Sequence, residues 1–193
     1  MHRFFKTEFF NFEFLRILST APYGGCETGE ALKAASLIKD ADRESWSEIW
    51  YQQGRHAEQL AEEASRSGDA PSAKAAYLRA SNYLRASQFM LNDLPPHQDP
   101  RVVLRLAKSQ ELFRKGVALL DDAKAYPLSI PLRDGAKVMA YLFVPLAEPR
   151  TSKGHPLVIS LTGGDGSQEE MYIVIGVAGI ARGYAMLTFD GPG

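Results

Sequence analysis

His155-Pro156-Leu157-Val158-Ile159-Ser160-Leu161-Thr162-Gly163-Gly164-Asp165-Gly166-Ser167 passes from a short apolar run straight into a cluster of glycines. A run of this length without polar alternation has the pattern of a strand in a parallel sheet. A helical segment, roughly Glu169 to Arg182, follows it, and Gly183 then opens a second apolar run, Tyr184 to Phe189. Strand, glycine loop, helix and strand make one βαβ unit. Such a unit implies a parallel sheet, because two co-directional strands need a crossover between them. This stretch places the C-terminal part of the chain in the α/β class. The printed sequence ends in the middle of that pattern, at Asp190-Gly191-Pro192-Gly193.

Upstream, Tyr126–Leu132 (YPLSIPL) and Ala136–Pro145 (AKVMAYLFVP) flank Arg133-Asp134-Gly135, a turn signal that predicts a hairpin. Pro127 and Pro131 cannot donate to a ladder, which suits an edge strand better than a central one. Before about Tyr126 the pattern is helical. Leu32, Ala35 and Leu37-Ile38 give an apolar face to a short helix from about Thr28 to Lys39. Trp46, Trp50, Ala57, Leu60, Ala61 and Ala64 do so for a helix that begins near Asp42 and ends at Gly68-Asp69. A third helix runs from Pro71 with Ala76, Tyr77, Ala80, Tyr83, Leu84 and Ser87 on one side, until Pro95-Pro96 breaks it. A fourth, from about Pro100, carries Val103, Leu106, Ala107, Phe113, Val117 and Leu120. Amphipathic stripes of this kind predict a bundle. The expected organisation is a helical domain over residues 1–125 and the opening strands of an α/β domain over 126–193.

With 193 residues, the chain has room for one domain, or for a helical piece and the start of a second. It is 45% hydrophobic and 23% charged, which excludes a largely disordered chain. Lys plus Arg total 22 against 23 Asp plus Glu, so no general basic field exists to hold nucleic acid or an anionic membrane. No apolar run reaches the roughly 18–20 residues that a spanning helix needs. Lys6, Glu8 and Glu13 interrupt the N-terminal aromatic stretch and spoil it as a signal peptide. The single cysteine, Cys26, has no partner for an internal disulfide, which points to a reducing interior. The expected setting is cytoplasmic.

The loop Thr162–Ser167 carries the strongest chemical signal. Glycines after a parallel strand bring backbone N–H groups close to a ligand, for a phosphate or an oxyanion; the plainer reading is a βα connection. The loop has neither the Walker lysine nor the G-x-G-x-x-G spacing. Ser167 stands one place too late for a G-x-S-x-G elbow, and the closing glycine is absent. Cys26, ahead of a helix, reads as a packing residue rather than a nucleophile. His2, His56, His97 and His155 lack metal-ligand spacing, and no metal is expected. The aromatic clusters at Phe4–Phe14, Trp46, Trp50, Tyr77 and Tyr83 read as core rather than pocket lining. Arg79 and Arg85 read as a solvated face.

Several separated segments together resemble one family. They are Phe12–Leu18 (FEFLRIL), Tyr23-Gly24-Gly25 with Gly29-Glu30, Asp42–Trp46 (DRESW) with Trp50, Ala75–Tyr83 (AAYLRASNY), and Gly183-Tyr184 with Phe189–Gly193 (FDGPG). The pattern resembles α/β-hydrolases that carry an N-terminal helical domain. These include fungal hydrolases of fusarin and cytochalasan clusters, the polyketide-shortening hydrolase of melanin synthesis, and dihydroxypseudooxynicotine hydrolase. The resemblance spans the chain. It implies a helical cap over a hydrolase domain, with Pro156–Leu161 as the third strand and Tyr184–Phe189 as the fourth. It also implies an oxyanion-hole loop at Gly163, Gly164 and Asp165, with Asp165 a substrate contact. The implied substrate is a polyketide-derived small molecule, and the implied chemistry is hydrolytic or acyl transfer at an ester or C–C bond.

By the same resemblance, the nucleophilic serine, acid and histidine would follow Gly193. The chain as written is therefore expected to lack serine-hydrolase turnover, and no catalytic triad residue is assigned within it. Serine chemistry supplies its own nucleophile, so no cofactor is expected. The third strand is expected to expose an unpaired apolar edge that favours self-association. The reading from another class is a non-catalytic helical interaction module.

Overall fold

A computed structural model describes residues 3–91, 99–133, 135–149, 152–163 and 165–191. The chain forms two compact units, Met1–Leu119 and Leu120–Gly193.

In the first unit the helices are α1 (Glu8–Leu18), α2 (Thr28–Leu37), α3 (Arg43–Ser67), α4 (Ala70–Phe89) and α5 (Pro100–Val117). Three of them begin on an aspartate. Asp42 accepts the Ser45 N–H at 2.9 Å, Asp69 that of Ser72 at 3.1 Å, and Asp99 that of Arg101 at 2.9 Å. Each carboxylate satisfies an N–H that the helix itself cannot pair. Proline in the first turn of α4 and α5 costs no hydrogen bond there. Gly68 closes α3 in the left-handed region at φ 79°, which favours glycine. The break expected at Pro95-Pro96 lies outside the described residues.

The sequence reading has no helix at α1, because aromatic residues at Phe9, Phe10, Phe12 and Phe14 blur its period. Burial resolves it. Phe10, Phe14 and Ile17 face the core, while Phe9 and Phe12 are exposed. Trp46, Trp50, Tyr83, Leu84 and Leu112 complete the interior of the unit, so these clustered aromatics are core.

Three expectations about helix faces are corrected. In α2 the buried positions are Ala31, Ala34 and the following Ile38, while Leu32 and Leu37 face water. In α5 the stripe is Val102, Arg105, Ser109, Leu112, Phe113, Gly116 and Val117, and Val103 and Ala107 are exposed. Its first turns are rotated from the apolar pattern because Arg105 is drawn inward. Its guanidinium donates to Ser47 Oγ at 2.6 Å and lies 4.4 Å from the centre of the Tyr51 ring. Arg79 and Arg85 are not a solvated face. Arg85 is buried and donates to Asn82 at 3.1 Å, and Arg79 pairs with Glu30 at 3.3 Å. Helix α4 packs against both α3 and α5, so most of its circumference is interior.

In the second unit the sheet order is β1-β2-β4-β3, from β1 (Ala123–Pro131), β2 (Lys137–Pro145), β3 (Leu157–Leu161) and β4 (Ala185–Phe189). The β1–β2 hairpin is antiparallel, from Ala123↔Pro145 to Pro131↔Lys137, and β1 starts ahead of Tyr126. Its prolines lie on an edge strand, as expected. Asp134 of the turn lies outside the described residues. β2 meets β4 antiparallel, from Ala140↔Phe189 to Phe143↔Met186. β3 and β4 run parallel, from Leu157↔Ala185 to Leu161↔Phe189, which is the pairing the βαβ reading demands.

The crossover between them is α6 (Gln168–Met171), a π-helical turn Tyr172–Gly176, and α7 (Val177–Ile180). Tyr172 stacks on Phe143 with ring centres 4.5 Å apart. The face of the sheet beneath the crossover is thereby buried. β3 is not buried on both faces, as its apolar run suggested. It is an edge strand, and Leu157, Ile159 and Leu161 are 50%, 62% and 58% exposed.

Candidate oxyanion loop

Because β3 and β4 are parallel and adjacent, Leu161 and Phe189 end side by side. The chain leaves both strands at the same rim of the sheet, where open α/β sheets bind ligands. The Thr162 N–H donates to the Phe189 carbonyl at 3.4 Å, which carries the parallel ladder one step beyond the strand. The loop ends at Ser167. Its buried hydroxyl accepts the Glu170 N–H at 3.3 Å, and its carbonyl accepts the Met171 N–H at 3.0 Å. Ser167 is thus occupied as the cap of α6 rather than presented as a nucleophile.

Gly163 is exposed, and a Cβ built on it would meet nothing closer than Asp165 Oδ1 at 3.7 Å. Its backbone is open to an approaching group. Asp165 is exposed in the turn that follows, and Gly164 lies outside the described residues. Asp190, at the end of β4, was read from sequence only as part of the closing motif. Its Oδ1 is buried with no hydrogen-bond partner among the described residues. Burial pushes the Asp190 carboxyl above the usual carboxylate range.

The other sequence candidates have quieter surroundings. Cys26 is buried, its thiol donates to the Glu27 carbonyl at 3.4 Å, and desolvation pushes its pKa from 9.0 up to about 11. His155 places Nδ1 2.9 Å from the Gly183 carbonyl, and His56 is exposed on α3. His2 and His97 lie outside the described residues. A cleft of about 340 Å³ on the helical unit is lined by Tyr51, Leu84 and Leu104 with Arg55, Arg101, Arg105 and Lys108. Each of those four cations has a carboxylate near it: Arg55 and Lys108 share Glu58 at 2.6 and 2.9 Å, Arg101 meets Glu44 at 2.7 Å, and Arg105 lies 4.0 Å from Glu48. Among the described residues, no group of His, Cys, Asp and Glu is placed to hold a metal, and no helix is long and apolar enough to cross a membrane.

A helical unit and a mixed sheet with a glycine loop at its parallel strand ends make up an architecture that α/β-hydrolases share. No protein-family model matches the chain. Over all of its length it is similar to the hydrolyase poxO of Penicillium oxalicum (49% identity), the alpha/beta hydrolase psoB of Aspergillus fumigatus (47%) and the 20-hydroxy-prefusarin hydrolase of Gibberella moniliformis (44%). It spans 45%, 43% and 45% of those relatives, less than half of each. Among solved structures, 2,6-dihydroxy-pseudo-oxynicotine hydrolase matches with a TM-score of 0.66 and 25% identity, over 90% of this chain and 45% of that one. AbyA5, at 17% identity and a TM-score of 0.53, shares the fold. The chain therefore resembles, from end to end, the fungal secondary-metabolite α/β-hydrolases.

Proposed function

We propose that this chain is the forepart of a serine-type α/β-hydrolase that hydrolyses or transfers an acyl group of a polyketide-derived small molecule. The observation that carries the reading is the parallel β3–loop–α6–β4 unit, which sets an exposed glycine backbone at the strand ends. Gly163, Gly164 and Asp165 form the oxyanion-hole loop in this reading, and the Asp165 side chain meets the substrate. Backbone donors fixed in place ahead of the reaction stabilise a developing oxyanion without reorganising. The nucleophile, acid and histidine belong to the part of the relatives that this chain does not span, and no organic cofactor is required. The setting we favour is the cytoplasm, where a single buried thiol stays reduced.

Deleting the gene in its source organism tests the function. The expected result is loss of one secondary metabolite and accumulation of its uncleaved precursor; an unchanged metabolite profile would overturn it. For the division of roles, residues 1–193 alone should give no burst of acyl-enzyme with an activated ester. A stoichiometric burst would place a working nucleophile inside them. We also propose that the open β3 edge, with Leu157, Ile159 and Leu161, pairs with a second copy when nothing else covers it.

A further inference from the structure

Helices α3 and α5 each pack on α4, and the cleft of about 340 Å³ is lined from all three. Side chains bridge α3 and α5 in step: Glu44 to Arg101, Ser47 to Arg105 and Glu58 to Lys108. Leu84 of α4 lines the cleft from the buried side, and Leu104 of α5, 68% exposed, stands at its rim.

Arg105 differs from the other cations of the lining. Arg55, Arg101 and Lys108 each hold a carboxylate oxygen within 2.9 Å. The Arg105 side chain is only 9% exposed, yet its Nη1 donates to neutral acceptors: Ser47 Oγ at 2.6 Å and the Ser47 and Ser87 carbonyls at 3.2 Å. The Tyr51 ring covers one face of the guanidinium. Nη2 makes no hydrogen bond among the described residues, and the carboxylate facing it, Glu48, is 4.0 Å away and 57% exposed. A guanidinium does not give up its charge, so a buried one with neutral partners lacks a close counter-ion.

We propose that this cleft is a binding site for a small organic monocarboxylate with a compact apolar body. Arg105 Nη2 takes the carboxylate, and Tyr51, Leu84 and Leu104 enclose the body. Apolar walls around one placed charge, in a space of this size, are the features of a small-molecule pocket. A single negative charge is favoured over a phosphate dianion, because Glu44, Glu48, Glu58, Asp99 and Glu111 stand beside the lining cations. Burial and the Arg101 charge hold the Arg105 guanidinium below its ordinary pKa, and an anion at Nη2 offsets both. Every lining residue belongs to α3, α4 or α5, so the site does not depend on the hydrolase reading.

Isothermal titration calorimetry of residues 1–193 with cinnamate tests the site, with cinnamyl alcohol as the neutral counterpart. Cinnamate should bind at a single site with a Kd of about 1 mM or tighter, as a fragment of this size does in a formed pocket. The alcohol should bind about tenfold more weakly or worse, since it forgoes a hydrogen bond to a charged group. Glu48→Gln should tighten cinnamate binding by about threefold, because it removes the competing carboxylate; a merely structural Arg105 would leave that affinity unmoved. Arg105→Gln should weaken cinnamate by about tenfold or more.

Arg105 also ties α5 to Ser47 and Ser87, so a second variant leaves it in place. Leu104→Asp sets a negative charge at the exposed rim and should weaken cinnamate by about fivefold or more, the alcohol less, with the urea midpoint unchanged. Absence of saturable cinnamate binding would overturn the proposal. So would equal affinities for the acid and the alcohol, or an affinity for cinnamate that Leu104→Asp leaves unchanged.

Discussion

Tyr83 illustrates how single side chains tie remote sequence together. Its hydroxyl donates to Glu30 at 2.7 Å and accepts the Glu27 N–H at 2.8 Å, so α4 holds the start of α2. Desolvation pushes the phenol's pKa up and keeps it protonated. Tyr83→Phe should cost about 1–3 kcal/mol in urea unfolding, since it strands a donor and an acceptor at once. Cys26 beside it is raised from 9.0 to about 11, which leaves about a hundredfold less thiolate at pH 8 than an ordinary cysteine has. Alkylation by iodoacetamide should accordingly be slow in the native chain and fast in denaturant; equal rates would mean that the thiol is open. The sequence offered the correct passive reading of Cys26. It could not offer the burial of Asp190 Oδ1, because the residue follows β4 where only the pairing with β3 sets its surroundings.

Between elements, packing depends on close approach and on ion pairs at the helix starts. A Cβ on Gly54 of α3 would lie 2.8 Å from Leu84 Cγ and 3.3 Å from the Leu84 backbone nitrogen of α4. Gly54→Ala should therefore destabilise the helical unit by about 1–3 kcal/mol, the usual cost of overpacking. Arg101 on α5 bonds Glu44 of α3 at 2.7 Å and its own cap residue Asp99 at 2.7 Å. Hydrogen bonding from Arg101 holds both carboxyls below their ordinary values of 4.5 and 3.8. A lowered carboxylate pKa gives stability that is fully present above the unfolded value and is lost as pH falls through the folded one. Thermal unfolding of the helical unit should thus weaken below about pH 4, and Arg101→Gln should flatten that acid limb. The Arg101–Glu44 pair is solvent-exposed, so added salt should flatten it as well.

At the scale of the whole molecule, the β3 edge is where the proposed self-association is tested. β3 presents three exposed apolar side chains and, among the described residues, one unpaired side of its backbone, a combination that natural sheets cover or blunt. Light scattering of residues 1–193 should show a molecular mass that rises with protein concentration. Ile159→Lys should reduce the rise by placing charge at the centre of the strand's exposed face. A concentration-independent monomer would sink the self-association proposal.

The order of elements was legible in the sequence wherever local chemistry decides it. Asp42 and Gly68 mark helix ends through hydrogen bonds made within a few residues, and Pro100 does so because it has no N–H to give. The prolines of β1 exclude it from the sheet interior, and the glycine loop between two apolar runs requires a crossover. Which face each helix buries was decided by tertiary structure, because Arg105 of α5 bonds Ser47 of α3 and the Ser87 carbonyl of α4, partners that only packing brings to it. The exposure of β3 was likewise decided there. Local patterns determine what a segment can form, but the environment of a buried polar group is set by whatever the rest of the chain brings to it.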